Sequence, residues 1–219
     1  MALIAIGDIH GCLATFDRLW EELQPSADDQ VVFVGDYIDR GPRSRGVIDR
    51  MIELRDTRQC VFLRGNHERF MLDYLKGGSL SLWNQNGGLS TLRSYGGNHR
   101  GADIPDEHAA FVRDTELYFE TDDFFIVHAG LKPHLSVAQN KERFGEDTFL
   151  WERSHMKANR LDWEKTVVCG HTPQAEPINR DRLIAIDTGC VYNMHPGLGH
   201  LTAVRLPGRE FISVKYADG

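Results

Sequence analysis

Five short segments of the chain set glycine beside carboxylate, amide or imidazole residues: Gly7-Asp8-Ile9-His10-Gly11, Gly35-Asp36-Tyr37-Ile38-Asp39-Arg40-Gly41, Gly65-Asn66-His67-Glu68, His128-Ala129-Gly130 and Gly170-His171-Thr172. Hard oxygen donors mixed with imidazoles suit Mn, Fe or Zn better than Ca or a thiolate-bound ion. Their number matches a centre of two metal ions. A carboxylate shared between two cations offsets their repulsion, and a shared water becomes a hydroxide near neutral pH. One such fragment alone says little, because Asp after Gly is a common turn former. The set says more: at average residue usage, Gly-Asp-x-His-Gly occurs on the order of 0.001 times in a chain this long.

The rest of the sequence must bring these distant segments together. Apolar β-type runs at 3–6, 31–34 and 60–63 alternate with amphipathic helices, one presenting Leu13, Phe16, Leu19, Trp20 and Leu23, the next Val47, Ile48, Met51 and Ile52. That is a β-α-β-α-β beginning. Residues from about 68 to 116 read as helices broken by Gly77-Gly78, Gly87-Gly88 and Gly96-Gly97, an excursion within one domain spanning 1–219. Strands return at 118–121, 124–127, 166–169, 183–186, 201–205 and 210–214, the last two a hairpin about Pro207-Gly208. Each chemical segment follows a strand, and in an α/β sheet the carboxyl ends of strands line one crevice. The expected architecture is a two-layered sheet flanked by helices, with one site at its edge.

Composition narrows the function. Charged residues are 26% and hydrophobic ones 41%, ordinary for a globular protein. A net charge of −7 argues against a general grip on nucleic acid. Asp8 and His10 interrupt the apolar start before a signal or membrane segment is complete, so neither membrane nor export is expected. The four cysteines form no CxxC pair and read as reduced thiols of a cytoplasmic protein.

The ordered set GDIHG, GDYIDRG, GNHE, HAG and GHT resembles the PPP family of metallophosphatases over about residues 3–190, with spacing similar to the short bacterial and bacteriophage members. Leu150-Trp151-Glu152-Arg153 resembles their Trp-x-Arg, and Ile38 stands in place of the more usual Val. The resemblance implies the calcineurin-like metallophosphoesterase fold, a two-layered β-sandwich of mixed sheets flanked by helices. It also implies two divalent metal ions, Mn first, with Fe or Zn as alternatives. Asp8, His10 and Asp36 would hold one ion; Asp36, Asn66, His128 and His171 would hold the other, with Asp36 bridging.

Neighbouring side chains diverge on an extended or turn backbone, so Asn66 can face the metals while His67 faces the leaving group as general acid. Asp39 would fix the His67 tautomer; its plainer role is a turn carboxylate paired with Arg40. Arg40, Arg64 and Arg153 form the expected phosphate clamp, although Arg153 could instead stack on Trp151 or sit in water. Glu68 is expected to give support without an evident partner, and Asp187-Thr188-Gly189 to be either a buttress or a plain turn. Cys12, Cys169 and Cys190 adjoin these loops, as small apolar packing or as oxidation-sensitive thiols, and Tyr192 and His195 could border the pocket.

The activity expected from the resemblance is hydrolysis of phosphoserine, phosphothreonine or phosphotyrosine monoesters by direct attack of hydroxide, without a phosphoenzyme. The partner is then a phosphorylated protein or peptide, and the enzyme a monomer. The alternative is a dinucleoside polyphosphate hydrolase that splits a tetraphosphate into two nucleoside diphosphates. A silent phosphoprotein-binding module would be expected to lack a motif residue, and none is missing here.

Overall fold

Strands whose side chains alternate between two apolar surroundings form the centre of the molecule. The computed structural model describes residues 1–219. The chain begins with β1 (Leu3–Ile6), α1 (Leu13–Leu23), β2 (Gln30–Phe33), α2 (Ser44–Thr57) and β3 (Cys60–Phe62). Four helices follow, α3 (Asn66–Leu75), α4 (Leu80–Gln85), α5 (Gly88–Ser94) and α6 (Asp106–Arg113). Then come β4 (Tyr118–Glu120), β5 (Phe124–Val127), α7 (Val137–Arg143), α8 (Glu146–Trp151) and a 3₁₀ turn at Ser154–Lys157. The chain closes with β6 (Thr166–Cys169), β7 (Ile178–Arg180), β8 (Leu183–Ala185), β9 (His200–Leu206) and β10 (Glu210–Lys215).

Two five-stranded sheets result, ordered β10-β9-β1-β2-β3 and β4-β5-β6-β8-β7. Helical crossovers make β1, β2 and β3 parallel, with Ile4 opposite Val31 and Val32 opposite Val61, whereas the hairpin partners β9 and β10 run antiparallel. In the second sheet β5, β6 and β8 are parallel, with antiparallel β4 and β7 at the edges.

The period-two pattern sorts the side chains into layers. Ala5, Val32, Phe124, Ile126, Val168, Ile184 and Val204 meet between the sheets. Ile4, Ile6, Val31 and Phe33 turn outward onto Phe16, Leu19, Val47 and Met51 of α1 and α2. Phe125, Val127, Val167 and Leu183 turn the other way, onto Val137, Phe149 and Trp163. The fold is therefore the expected α/β sandwich of mixed sheets between helical layers. Sequence patterning did not show β7, α7 or α8. β7 is an edge strand of Ile178, Asn179 and Arg180 only, and the helices are 7 and 6 residues long, too short for a helical period to stand out.

A long-range staple fixes α1. No side chain at its N-cap, Cys12, accepts from its first turn. Asp218 does so instead, with Oδ1 accepting the Ala14 amide (2.8 Å) and Oδ2 the Thr15 amide (3.0 Å) and hydroxyl (2.6 Å). No helix of the structure is long and apolar enough to cross a membrane.

Candidate active site

The loops after β1, β2, β3, β5 and β6 carry the five segments, and both sheets end their parallel strands at the same edge. The loops are tied to one another directly: the amides of Ile9 and His10 donate to the Asp36 carbonyl (3.1 and 2.8 Å), and that of Gly170 to the His128 carbonyl (2.8 Å). Backbones pass so close that a Cβ on Gly65 would lie 2.1 Å from Asp36 Oδ1, and one on Gly170 2.0 Å from Asp8 Oδ1. Glycine is required at both positions.

Seven non-glycine residues have positive φ, and five of them are here: His10 (48°), Asp36 (54°), Asp39 (73°), Arg40 (68°) and His171 (66°). The left-handed region costs an L-residue roughly 1–2 kcal/mol. Such strain persists where the surrounding structure over-determines it, and it concentrates at functional sites.

Asp36 is the centre of the arrangement. Its Oδ2 lies 3.4 Å from His10 Nε2 and 4.0 Å from His67 Nε2, and its Oδ1 lies 3.5 Å from His128 Nε2. Burial alone would raise its pKa, but the imidazoles of His128, His67, His10 and His171 reverse this and hold the carboxyl far below its usual range. Two rings are oriented by backbone: His10 Nδ1 meets the Ile38 carbonyl (2.9 Å) and His128 Nδ1 the Val34 carbonyl (3.0 Å), so each presents Nε2 inward. His128 Nε2 is 3.0 Å from Asn66 Oδ1 and 3.2 Å from His171 Nδ1. Burial holds the pKa values of His10, His128 and His171 down, which keeps their rings neutral. Asp8 accepts the His171 amide at Oδ2 (3.0 Å), and its buried Oδ1 has no partner.

A second network surrounds His67. Its Nδ1 donates to Asp39 Oδ2 at 2.7 Å. Asp39 in turn accepts from Trp83 Nε1 (2.9 Å to Oδ2) and from the Thr91 hydroxyl (2.6 Å to Oδ1). Burial depresses the His67 pKa, but Asp36 and Asp39 more than offset it, so the net shift is upward. Asn66 and His67 occupy the first turn of α3 rather than the extended or turn backbone expected from sequence. They diverge all the same, since consecutive helical residues point about 100° apart.

The three expected phosphate-binding arginines are not placed alike. Arg40 Nη1 contacts His10 Nε2, and Arg153 Nε donates to His171 Nε2 at 2.9 Å, so both guanidinium groups face the cluster. Arg64 does not. Its Nε donates to Thr115 Oγ1 (3.1 Å), Nη1 to Glu146 Oε1 (3.0 Å), and Nη2 to the carbonyls of Arg113 (2.8 Å) and Thr115 (3.0 Å). It joins α3, α6 and α8, and the sequence reading is corrected for the plain reason that its donors are already used.

With this geometry in view, comparison with known proteins is direct. The sequence pattern of calcineurin-like phosphoesterases matches residues 1–175. The chain belongs to the calcineurin-like phosphoesterase family. A relative from Oceanobacillus iheyensis, named bis(5'-nucleosyl)-tetraphosphatase PrpE [asymmetrical], is 31% identical over 98% of this chain and 92% of its own length. One of the same name from Anoxybacillus flavithermus is 31% identical over 95% of this chain and 92% of its own length. Among solved structures, one described as a diadenosine tetraphosphatase superposes with a TM-score of 0.75 at 25% identity, covering 100% of this chain and 95% of that one. A protein serine/threonine phosphatase from Saccharomyces cerevisiae, at a TM-score of 0.68 and 16% identity over 100% of this chain and 81% of that one, shares the fold.

Calcineurin-like phosphoesterases work with divalent metal ions, and the donors here fit such ions. Ligand atoms of Asp36, His128 and His171 lie within 4.8 Å of one another, as do those of His10, Asp36 and His67. His128 Nδ1 is spent on a carbonyl, so the lone pair on Nε2 faces two oxygens that are themselves acceptors, with His171 Nδ1 the one neighbouring donor. A cation relieves that crowding, and the buried Asp8 Oδ1, which has no hydrogen-bond partner, is a further donor a cation could use.

The sequence named Glu68 as a support and Asp187 as a buttress or a plain turn, without their partners, and it did not mark Trp83 or Thr91. Glu68, the third residue of α3, accepts the amides of Gly65 (2.8 Å), Asp36 (2.8 Å) and Tyr37 (2.9 Å), thereby tying the second loop to the third; burial and the Asp36 charge raise its pKa to about 8. Asp187 is buried with Oδ1 on the Gly189 amide (2.9 Å), and burial, with Asp36 adding, raises it to about 7. Trp83 and Thr91 come from the helical excursion. No motif marks them, and their only sequence signal is one polar function in each of two otherwise apolar helix faces. The buried thiols of Cys12, Cys169 and Cys190 line these loops; burial pushes Cys169 up, and contact with Cys12 together with burial does the same for Cys190.

Proposed function

We propose that this phosphoesterase hydrolyses dinucleoside tetraphosphates asymmetrically, adding one water to give a nucleoside triphosphate and a nucleoside monophosphate. The observation that carries the reading is end-to-end similarity to proteins named for that activity, at 31% identity over 98% of the chain. It favours the second of the two readings drawn from sequence over the phosphoprotein phosphatase, and it replaces the two diphosphate products with unequal ones.

Asp8, His10 and Asp36 would hold one divalent ion, and Asp36, Asn66, His128 and His171 the other, with Mn ahead of Fe or Zn. Bound there, the ions supply Lewis acidity toward the phosphoryl group. The remaining work belongs to side chains. Arg40 and Arg153 border the cluster beside His10 and His171, where guanidinium forks can hold phosphoryl oxygens and offset charge as it develops. Asp39 occupies His67 Nδ1, which leaves Nε2 to hold a proton and deliver it to the departing oxygen. We place the enzyme in the cytoplasm, acting as a monomer.

The test is product analysis after chelation and metal add-back. Diadenosine tetraphosphate should give ATP and AMP in equal amounts. ADP alone would make the cleavage symmetrical, whereas orthophosphate from a phosphoserine peptide with the tetraphosphate untouched would restore the protein phosphatase reading.

A further inference from the structure

One aromatic side chain at the rim has no part in the chemistry described so far. Trp151 ends α8, whose Phe149 and Leu150 are buried, yet 42% of Trp151 is exposed. It is the one aromatic residue among the exposed large hydrophobic side chains, the others being Met1, Leu75, Leu82 and Met194. Its indole stands edge-to-face with His171 (5.8 Å between centroids, 89°) and with Phe70 (5.7 Å, 74°), and Phe70 in turn lies 5.9 Å from His67. The open ring is thus in contact with one expected metal ligand and one residue removed from the expected general acid. Two positions along the chain, Arg153 faces the same His171.

An open indole beside a phosphate-facing guanidinium suits a molecule that joins an anionic phosphate to a flat apolar ring. Resting on the function proposed above, we propose that Trp151 is the platform on which the nucleobase nearest the cleaved phosphate stacks. Asymmetrical cleavage leaves a base one ribose away from the reacting phosphoryl group, which brings it within reach of this rim. Of the other aromatic rings near the site, Tyr192 is already faced by the Arg40 guanidinium at 5.4 Å and His195 at 5.6 Å. Trp151 is a specificity residue, not a proton carrier.

Stacking on an aromatic side chain is sequence-tolerant and changes affinity by about ten- to a hundredfold. Titrating the Mn-loaded protein with AMP should quench indole fluorescence, whereas ribose 5-phosphate should not, and the quench should vanish in W151F. Against diadenosine tetraphosphate, W151A should raise KM about tenfold or more with a smaller change in kcat, and W151F should recover most of the loss. A W151A variant that keeps wild-type KM, or AMP and ribose 5-phosphate binding with equal affinity to the wild type, would overturn the platform. The fluorescence arm needs no turnover, so wild-type failure to cleave the tetraphosphate counts against the proposed function, and the AMP titration still decides on Trp151. Should W151A fail to fold, judged by circular dichroism, W151F and the wild-type titrations carry the decision.

Discussion

His67 and His128 sit on either side of Asp36 and are held in opposite ways. Around His67 the supporting groups are paired: Nδ1 is on Asp39, the two Asp39 oxygens are taken by Trp83 and Thr91, and only Nε2 is left open. Around His128 the acceptors crowd one another, and Asp8, which accepts the His171 amide, has an Oδ1 without a partner. On the proposed function, the proton-transfer side would be complete in the polypeptide itself, whereas the ligand side would be completed by cations. Preorganising the first avoids reorganisation during the reaction, and leaving the second unfinished gives ions a reason to bind.

The sharpest way to separate the two sides is to disable the finished one. His67→Asn should lower turnover of the tetraphosphate by about a thousandfold or more while bound metal, measured by elemental analysis, stays at the wild-type level. Near-wild-type turnover would remove His67 from its role. On the unfinished side, Mn should raise the wild-type thermal midpoint, since binding to the folded state alone is stabilising. Asp36→Asn should abolish most of that rise, and an equal rise in both proteins would show that the ions bind elsewhere.

Beneath both sides, His155 provides a pH reading. Burial lowers its pKa from 6.5 to about 4. Between those values the unfolded chain takes up the proton and the folded one does not, so stability falls as the pH drops from about 6.5 and the loss is complete near 4. The difference amounts to about 3 kcal/mol. In urea titrations at pH 7 and pH 4, His155→Gln should lose less stability on acidification than the wild type by about that amount; parallel losses would refute it.

A smaller effect is expected at the edge of the finished side. Thr91→Val removes one hydroxyl donor from Asp39 and should reduce kcat about tenfold with little change in KM, as a positioning residue would. Least of all, Arg64→Ala should leave kcat within about threefold and instead lower the unfolding free energy by about 1–3 kcal/mol, because two carbonyls lose a donor and Glu146 keeps only Arg69. A large fall in kcat would return Arg64 to the phosphate clamp.

Much of this arrangement was legible in the sequence because apolar strands and Gly-Asp or Gly-Asn turns repeat one grammar from Leu3 to Asn66. The strand ends told which residues share an edge, so Asp8, Asp36, Asn66, His128 and His171 could be grouped without coordinates. Direction was harder to read. Arg64 adjoins Gly65-Asn66 in sequence, but its side chain leaves toward Thr115 and Glu146, contacts that depend on helices 50 to 80 residues away and on no local pattern. Trp83 and Thr91 were hidden for a related reason: an indole N–H or a hydroxyl in a helix looks like ordinary packing until the carboxylate it serves is placed beside it. Tertiary proximity settles such roles, and neither period nor motif encodes it.

The carboxylate of Asp218 caps α1, the helix that the His10 loop runs into, from 203 residues further along the chain. During synthesis the ribosome therefore releases the opening helix long before its cap has been translated. Until then the loop bearing Asp8 and His10 lacks one of its anchors, so a nascent chain stalled before residue 218 should acquire its sheets earlier than its capacity for hydrolysis.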